Sequence, residues 1–203
     1  EWLGEAMAPD PVEIGPDDPF NIIYSSGTTG TPKGIVQPHA MRWAHIARNE
    51  AAGFGDAVTM VATPLYSNTT LVSFIPTLAW GGTAGLSGRS DARGFLEAAA
   101  KPRATHAMLV PVQYQRIMAV VDFDAFDLSA FRLKTCTSAP FSPALKADVL
   151  ARWPGLLVEY YGMTEGGGTS VLICNMFPAK LHTVGTPVAG HDIRLIDDEG
   201  REV

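Results

Sequence analysis

The run YSSGTTGTPKG, Tyr24 to Gly34, places the hydroxyls of Ser25, Ser26, Thr28, Thr29 and Thr31 and the ammonium of Lys33 among Gly27, Gly30 and Gly34. Glycine lets backbone N–H groups approach an anion closely and adopt positive φ. Hydroxyls add uncharged donors, and lysine adds a point charge on a flexible stem. Together they suit a polyphosphate. The alternative is a solvent-exposed Gly/Thr linker. Against it stand the apolar run FNIIYS directly before the loop and a lysine set between Pro32 and Gly34. The loop does not meet the GxxxxGK[ST] pattern, because glycine follows Lys33, so kinase and GTPase readings lose their main support. A second run, YYGMTE from Tyr160 to Glu165, lines up an aromatic face for a purine, a hydroxyl for a phosphate oxygen and a carboxylate of the kind magnesium prefers. Taken singly, Tyr161 reads equally as a core aromatic and Glu165 as a solvated loop acid.

Elements must hold these side chains in place. FNIIYS reads as a buried strand, a short apolar run bounded by turn residues. Helix is expected over His39–Gly53, strand over AVTMVATP, helix over Thr69–Trp80 and a short strand in GGTAGL. Asp91–Lys101 reads as a helix, THAMLVP as a strand, Val112–Val121 as a helix and RLKTCTSA as a strand. Pro143–Trp153 is a helix that Ser142 caps, with proline at its first position. LLVEYYG is a strand, and HDIRLIDDEG a strand and turn. This alternation predicts an α/β fold, a mostly parallel sheet with helices on both faces. In such sheets ligands sit beyond the carboxyl ends of the strands. Residues 1–19, with prolines at 9, 11, 16 and 19, read as an irregular lead-in, 20–175 as the α/β core, and 176–203 as the start of a β-rich part.

Composition bounds the function. The 203 residues are 46% hydrophobic and 18% charged, enough apolar content to bury a core. The net charge of −6 argues against a general nucleic-acid or anionic-membrane surface. No apolar run is long enough to span a bilayer. The two cysteines, Cys136 and Cys174, lie in no CxxC or Cys/His cluster and read as reduced thiols of a cytoplasmic protein, a single disulfide being the alternative. The five histidines show no HExxH spacing, and GxSxG is missing, so zinc and serine-hydrolase chemistry are unsupported.

YSSGTTGTPKG resembles the phosphate-binding signature of the adenylate-forming superfamily, which includes acyl-CoA synthetases, peptide-synthetase adenylation domains and firefly luciferase. YYGMTE resembles its YGxTE motif, TSAPFSPAL its GGAPLSPEL segment, and VGTPVAGHDIRLID the GxPxPG-type stretch that follows. The four matches run in family order and cover most of residues 20–200. The resemblance implies two steps: a carboxylate attacks the α-phosphorus of ATP to give acyl-adenylate and pyrophosphate, and a thiol, usually that of coenzyme A, then attacks the acyl carbon. It implies that Ser25–Thr31 and Lys33 cover the pyrophosphate end of ATP, with glycines that let the loop move. Tyr161 stacks on adenine, Thr164 bonds the α-phosphate and Glu165 helps hold Mg²⁺. Tyr160, Gly162 and Met163 complete the nucleotide motif, and Ser138, Ala139 and Pro140 line the adenine and acyl pocket largely through backbone. TPLYSNTT resembles a PLFH or PLYH segment whose histidine borders the carboxylate pocket; here Ser67 stands in its place. Trp43, Phe74, Trp80 and Tyr114 are candidates for a hydrophobic acyl tunnel, with simple core roles as the alternative.

The family's YxTGD aspartate, hinge and C-terminal lysine have no counterpart in this sequence, so the chain reads as a central piece of the family's large N-terminal domain. The implied partners are ATP, Mg²⁺, coenzyme A and a small carboxylic acid; fatty, aromatic and short dicarboxylic acids stay open, as does oligomeric state. Loading of a carrier-protein thiol, or a non-catalytic nucleotide-binding fragment, stand as alternatives.

Overall fold

The computed structural model describes residues 10–25, 31–87, 91–166 and 169–203. Two sheets form. The larger has seven strands in the order β4 (Thr83–Leu86), β3 (Val58–Val61), β5 (His106–Leu109), β6 (Leu133–Cys136), β7 (Leu156–Tyr161), β8 (Ser170–Ile173) and β9 (Thr186–Pro187). The pairs from β4 to β7 are parallel, and β8 and β9 are antiparallel additions at one edge. Helices α2 (Asn68–Ala79), α3 (Ala92–Ala100), α4 (Pro111–Met118) and α5 (Pro143–Arg152) make the crossovers. The chain steps one way from β3 to β4 and the other way from β4 through β5, β6 and β7. With right-handed crossovers this reversal puts α2 on one face and α3, α4 and α5 together on the other. The expected α/β architecture with helices on both faces is therefore the one found.

The core lies mainly under α3, α4 and α5. Trp153, at the end of α5, meets the rings of Phe95, Phe123, Phe131 and Tyr114 at centroid separations of 5.0–6.2 Å. Helix starts follow their capping residues. Asp91 accepts from Gly94 N–H at 2.8 Å, and Ser142 accepts from Leu145 N–H with Pro143 at the first helical position.

FNIIYS departs from expectation. It forms β1 (Pro19–Ser25), which pairs antiparallel with β2 (Lys33–Pro38) in a separate two-stranded sheet. Its apolar face is the outward one: Phe20, Ile22 and Tyr24 are exposed, while Ile23 is buried between half-buried Asn21 and Ser25. β2 was not anticipated because Gly34, Gln37 and Pro38 do not read as strand residues. β1 and β2 are therefore the two arms of a hairpin, with Ser25 opposite Lys33, and FNIIYS is not a strand of the parallel sheet. Helix α1 (His39–Arg48) follows β2 and stops short of Gly53, giving way to two single 3₁₀ turns. The strand expected in HDIRLIDDEG reduces to one bridge between Ile196 and Glu202 around a turn in which Asp197 accepts from the Glu199 and Arg201 amides. Ile193, Leu195 and Ile196 are exposed there. Upstream, Gly185 has φ +81 and passes so close to β8 that a Cβ would sit 1.9 Å from the Val171 carbonyl oxygen, which explains the glycine in VGTP.

Candidate nucleotide site

All parallel strands of the main sheet point the same way, so the turns that leave β3, β5, β6 and β7 share one edge. Connections from β3 and β5 diverge, which makes that edge the crevice where α/β sheets bind ligands. TSAPFSP leaves β6 and YYGMTE leaves β7, so both motifs sit on this edge.

Tyr160 and Tyr161 are the last residues of β7; burial raises the Tyr160 phenol pKa, whereas the Tyr161 ring is exposed and free to stack. Gly162 and Met163 are exposed, Thr164 is half-buried and Glu165 is exposed. Thr164 and Glu165 form a turn closed by Gly166 N–H on the Met163 carbonyl at 3.2 Å. Ser138, Ala139 and Pro140 are exposed beyond β6. Ser138 has φ +82, the left-handed region that glycine enters most easily, and the family resemblance puts a glycine there.

The hairpin is tied to these turns by hydrogen bonds. The Gln37 side-chain amide of β2 donates to the Thr164 carbonyl at 2.9 Å. The Gln37 side-chain oxygen accepts from Asn21 of β1 at 3.2 Å and from the Arg42 guanidinium of α1. Arg42 also donates from Nε to Asn21 and from an Nη to Asn68 at the start of α2, each at 3.0 Å. Thr69, next to Asn68, shares a 2.8 Å hydroxyl bond with Ser138. Polar contacts thus run from the hairpin to YYGMTE and, through the start of α2, to the turn after β6. Lys33 and Thr31, both exposed, stand at the head of β2, and half-buried Ser25 faces Lys33. Ser26, Gly27, Thr28, Thr29 and Gly30 lie outside the described residues.

The turn before α2 is locked by hydroxyls: Thr63 bonds Thr70 at 2.6 Å, and Thr70 donates to the Pro64 carbonyl. Ser67 ends this turn, and Tyr66 beside it is 81% exposed. The four aromatics named as tunnel candidates do not share one pocket. Tyr114 is buried in the core, its hydroxyl donating to the Thr135 carbonyl; Trp43 is exposed on α1; Trp80 ends α2 and bonds the Ile46 carbonyl. Only Phe74, half-buried in α2, keeps to the helix that borders the site.

Beneath the site, Lys146 of α5 pairs with Glu159 of β7, and both are buried. Cys136 and Cys174 are free and buried, and burial pushes both thiols up, Cys174 to about 11, so neither is a nucleophile at neutral pH. Among the described residues no helix is long and apolar enough to cross a membrane. Asn21, Gln37, Arg42 and Asn68 were missed from sequence. They carry no motif, and the one available signal was polar residues at the inward positions of otherwise apolar segments.

The family model described as "AMP-binding enzyme" matches residues 2–203. Feruloyl-CoA synthase of Amycolatopsis sp is 34% identical over 200 residues, covering 96% of this chain and 40% of that protein. Indoleacetate–CoA ligase of Aromatoleum aromaticum is 30% identical over 214 residues, covering 100% of this chain and 40% of that protein. Among solved structures, the N-terminal domain of FACL13 from Mycobacterium tuberculosis matches with TM-score 0.84 at 26% identity, over 98% of this chain and 51% of that one. The chain spans about two fifths of the length of the curated relatives it matches.

Proposed function

The chain belongs to the AMP-binding enzyme family, and from that premise we propose that it supplies the ATP-binding core of an acyl-CoA ligase. The observation that carries this reading is the convergence of hairpin, β6 turn and β7 turn on one edge through the bonds of Gln37, Arg42 and Thr69. In the proposed reaction a carboxylate oxygen attacks the α-phosphorus of ATP and pyrophosphate leaves with the electron pair of the broken P–O bond. The coenzyme A thiolate then attacks the acyl carbon and AMP leaves.

Such chemistry is mainly positioning and charge neutralisation. The reading assigns pyrophosphate binding to Ser25, Ser26, Gly27, Thr28, Thr29, Gly30, Thr31 and Lys33. It assigns the adenine and α-phosphate to Ser138, Ala139 and Pro140 and to the Tyr160–Thr164 run. Glu165 fits a magnesium ion: it is a single exposed carboxylate in a turn, and magnesium at phosphates takes one or two carboxylates and keeps its waters. When bound, magnesium would neutralise phosphate charge. Residues 20–175 are proposed as this nucleotide-binding core, with 176–203 adding β9 at the edge of its sheet and one β-bridge. A reducing cytoplasmic setting is supported by the unpaired buried thiols.

For the acid, the relatives named for feruloyl-CoA and indoleacetate favour an aromatic carboxylate over a fatty one. The test is carboxylate-dependent exchange of pyrophosphate into ATP by the full-length natural protein that contains these residues, against a panel of aromatic, fatty and dicarboxylic acids. Aromatic acids should support exchange. Lys33→Ala and Glu165→Gln should each slow it about 10²-fold, the scale of losing one preorganised charge-stabilising group, with thioester formation from supplied acyl-adenylate little changed. No exchange with any acid sinks the ligase reading.

A further inference from the structure

Arg42 is 2% exposed, and it has no carboxylate partner among the described residues. Burial alone pulls its pKa down to about 10. Burying an ion costs several kcal/mol unless its surroundings compensate, and an apolar side chain would fill the same volume without that cost. What the guanidinium provides is direction. Its planar fork points three donors along fixed vectors: Nε to Asn21 of β1, one Nη to Asn68 of α2, the other to Gln37 of β2. Gln37 has no exposed surface, and its oxygen is occupied by the Arg42 and Asn21 donors. Its amide nitrogen is thereby turned toward the Thr164 carbonyl. One rigid cation therefore fixes the base of the hairpin, the start of α2 and, one bond further, the turn that carries Thr164 and Glu165. Gly166, at the end of that turn, sits where an added Cβ would come 4.0 Å from the Met41 methyl, on the residue before Arg42.

We propose that Arg42, acting through Gln37, is a positioning residue for carboxylate activation: it holds the Thr164–Glu165 turn in register with the hairpin strand that begins at Lys33. The inference rests on the ligase reading. It explains why a charge is kept in a place without a counter-ion. Lysine cannot replace it, because an ammonium is a compact charge that does not present a planar fork.

The experiment uses Arg42→Met, Arg42→Lys and Gln37→Met in the full-length natural protein, with two readouts. In pyrophosphate exchange, all three variants should lose tenfold or more in kcat and show a raised KM for ATP. Thioester formation from supplied acyl-adenylate should stay within about twofold. In hydrogen–deuterium exchange, peptides covering residues 160–166 should lose protection while β5 and β6 keep theirs. Three results would overturn the proposal: full activity in Arg42→Lys, equal loss in both half-reactions, or unchanged protection at 160–166. If Arg42→Met does not fold, Gln37→Met decides, since it removes the link to Thr164 and leaves the guanidinium its bonds to Asn21 and Asn68. A wild-type protein without exchange activity would defeat the ligase reading alone, and the protection pattern would still judge the positioning role.

Discussion

Lys146→Met asks whether the strand that delivers Tyr160 and Tyr161 is anchored by charge. The Lys146 ammonium pairs with Glu159 and donates to the carbonyls of Leu181 at 2.8 Å and Thr183 at 3.0 Å. The two charged side chains are only 2% and 5% exposed, so water cannot take over from either partner. Methionine keeps the volume and removes the charge and the donors. Breaking a buried pair costs about 3–5 kcal/mol, because the charge left behind is uncompensated. Each carbonyl that loses its donor adds about 1 kcal/mol.

Glu159 can relieve the strain by taking a proton. Burial already raises its pKa, and Lys146 is the group that opposes the rise; in the variant that opposition is gone. A carboxyl whose folded pKa lies above its unfolded value contributes stability fully present below the unfolded value and lost as pH rises through the folded one. The deficit should therefore be smallest near pH 5 and grow toward pH 8, by at most about 1.4 kcal/mol per pH unit. Urea unfolding followed by circular dichroism at pH 5, 6.5 and 8 measures it. Adding Glu159→Gln to the variant should recover most of the loss at pH 8 and little at pH 5. A deficit independent of pH, or below about 1 kcal/mol at pH 8, would refute the reasoning.

Two further perturbations test other parts of the scaffold. The His45 ring is lowered to about 4, first by burial and then by the charges of Arg42 and Arg48. The unfolded chain takes up a proton that the native ring refuses, so stability should fall by up to about 3 kcal/mol as pH drops from 6.5 to 4, and His45→Gln should flatten this slope in urea midpoints at pH 7 and 4.5. Ser138→Gly removes a left-handed residue at φ +82 and loses an exposed hydroxyl bond to Thr69. Relief of about 1–2 kcal/mol of backbone strain against a bond worth about 1 kcal/mol or less should leave Tm unchanged or higher, whereas Ser138→Val should lower it; a glycine variant less stable than the valine one would contradict the strain argument.

Much of this molecule was legible in its residues. Alternating apolar periods identified the order of strands and helices from β3 to β7, and capping chemistry placed the starts of α3 and α5 at Asp91 and Ser142. Lys33, Thr164 and Glu165 stand out as candidates because glycine, hydroxyl and charge recur around them at fixed local spacing. The hairpin does not. Its first strand turns Phe20, Ile22 and Tyr24 outward and Asn21, Ile23 and Ser25 inward, so the apolar face is not the buried one; β2 contains Gly34, Gln37 and Pro38, none of them strand-forming.

What local sequence determined is the chemistry of each segment: a phosphate-suited loop, a purine-suited aromatic, a metal-suited carboxylate. Tertiary structure decided how they are held together. Asn21, Gln37, Arg42, Asn68 and the Thr164 carbonyl meet from five separate segments of chain. Nothing in their sequence separation marks them as partners. A buried cation and its amide acceptors satisfy one another only after the sheet and α1 have excluded water, so their pairing belongs to the packed fold and not to any stretch of residues.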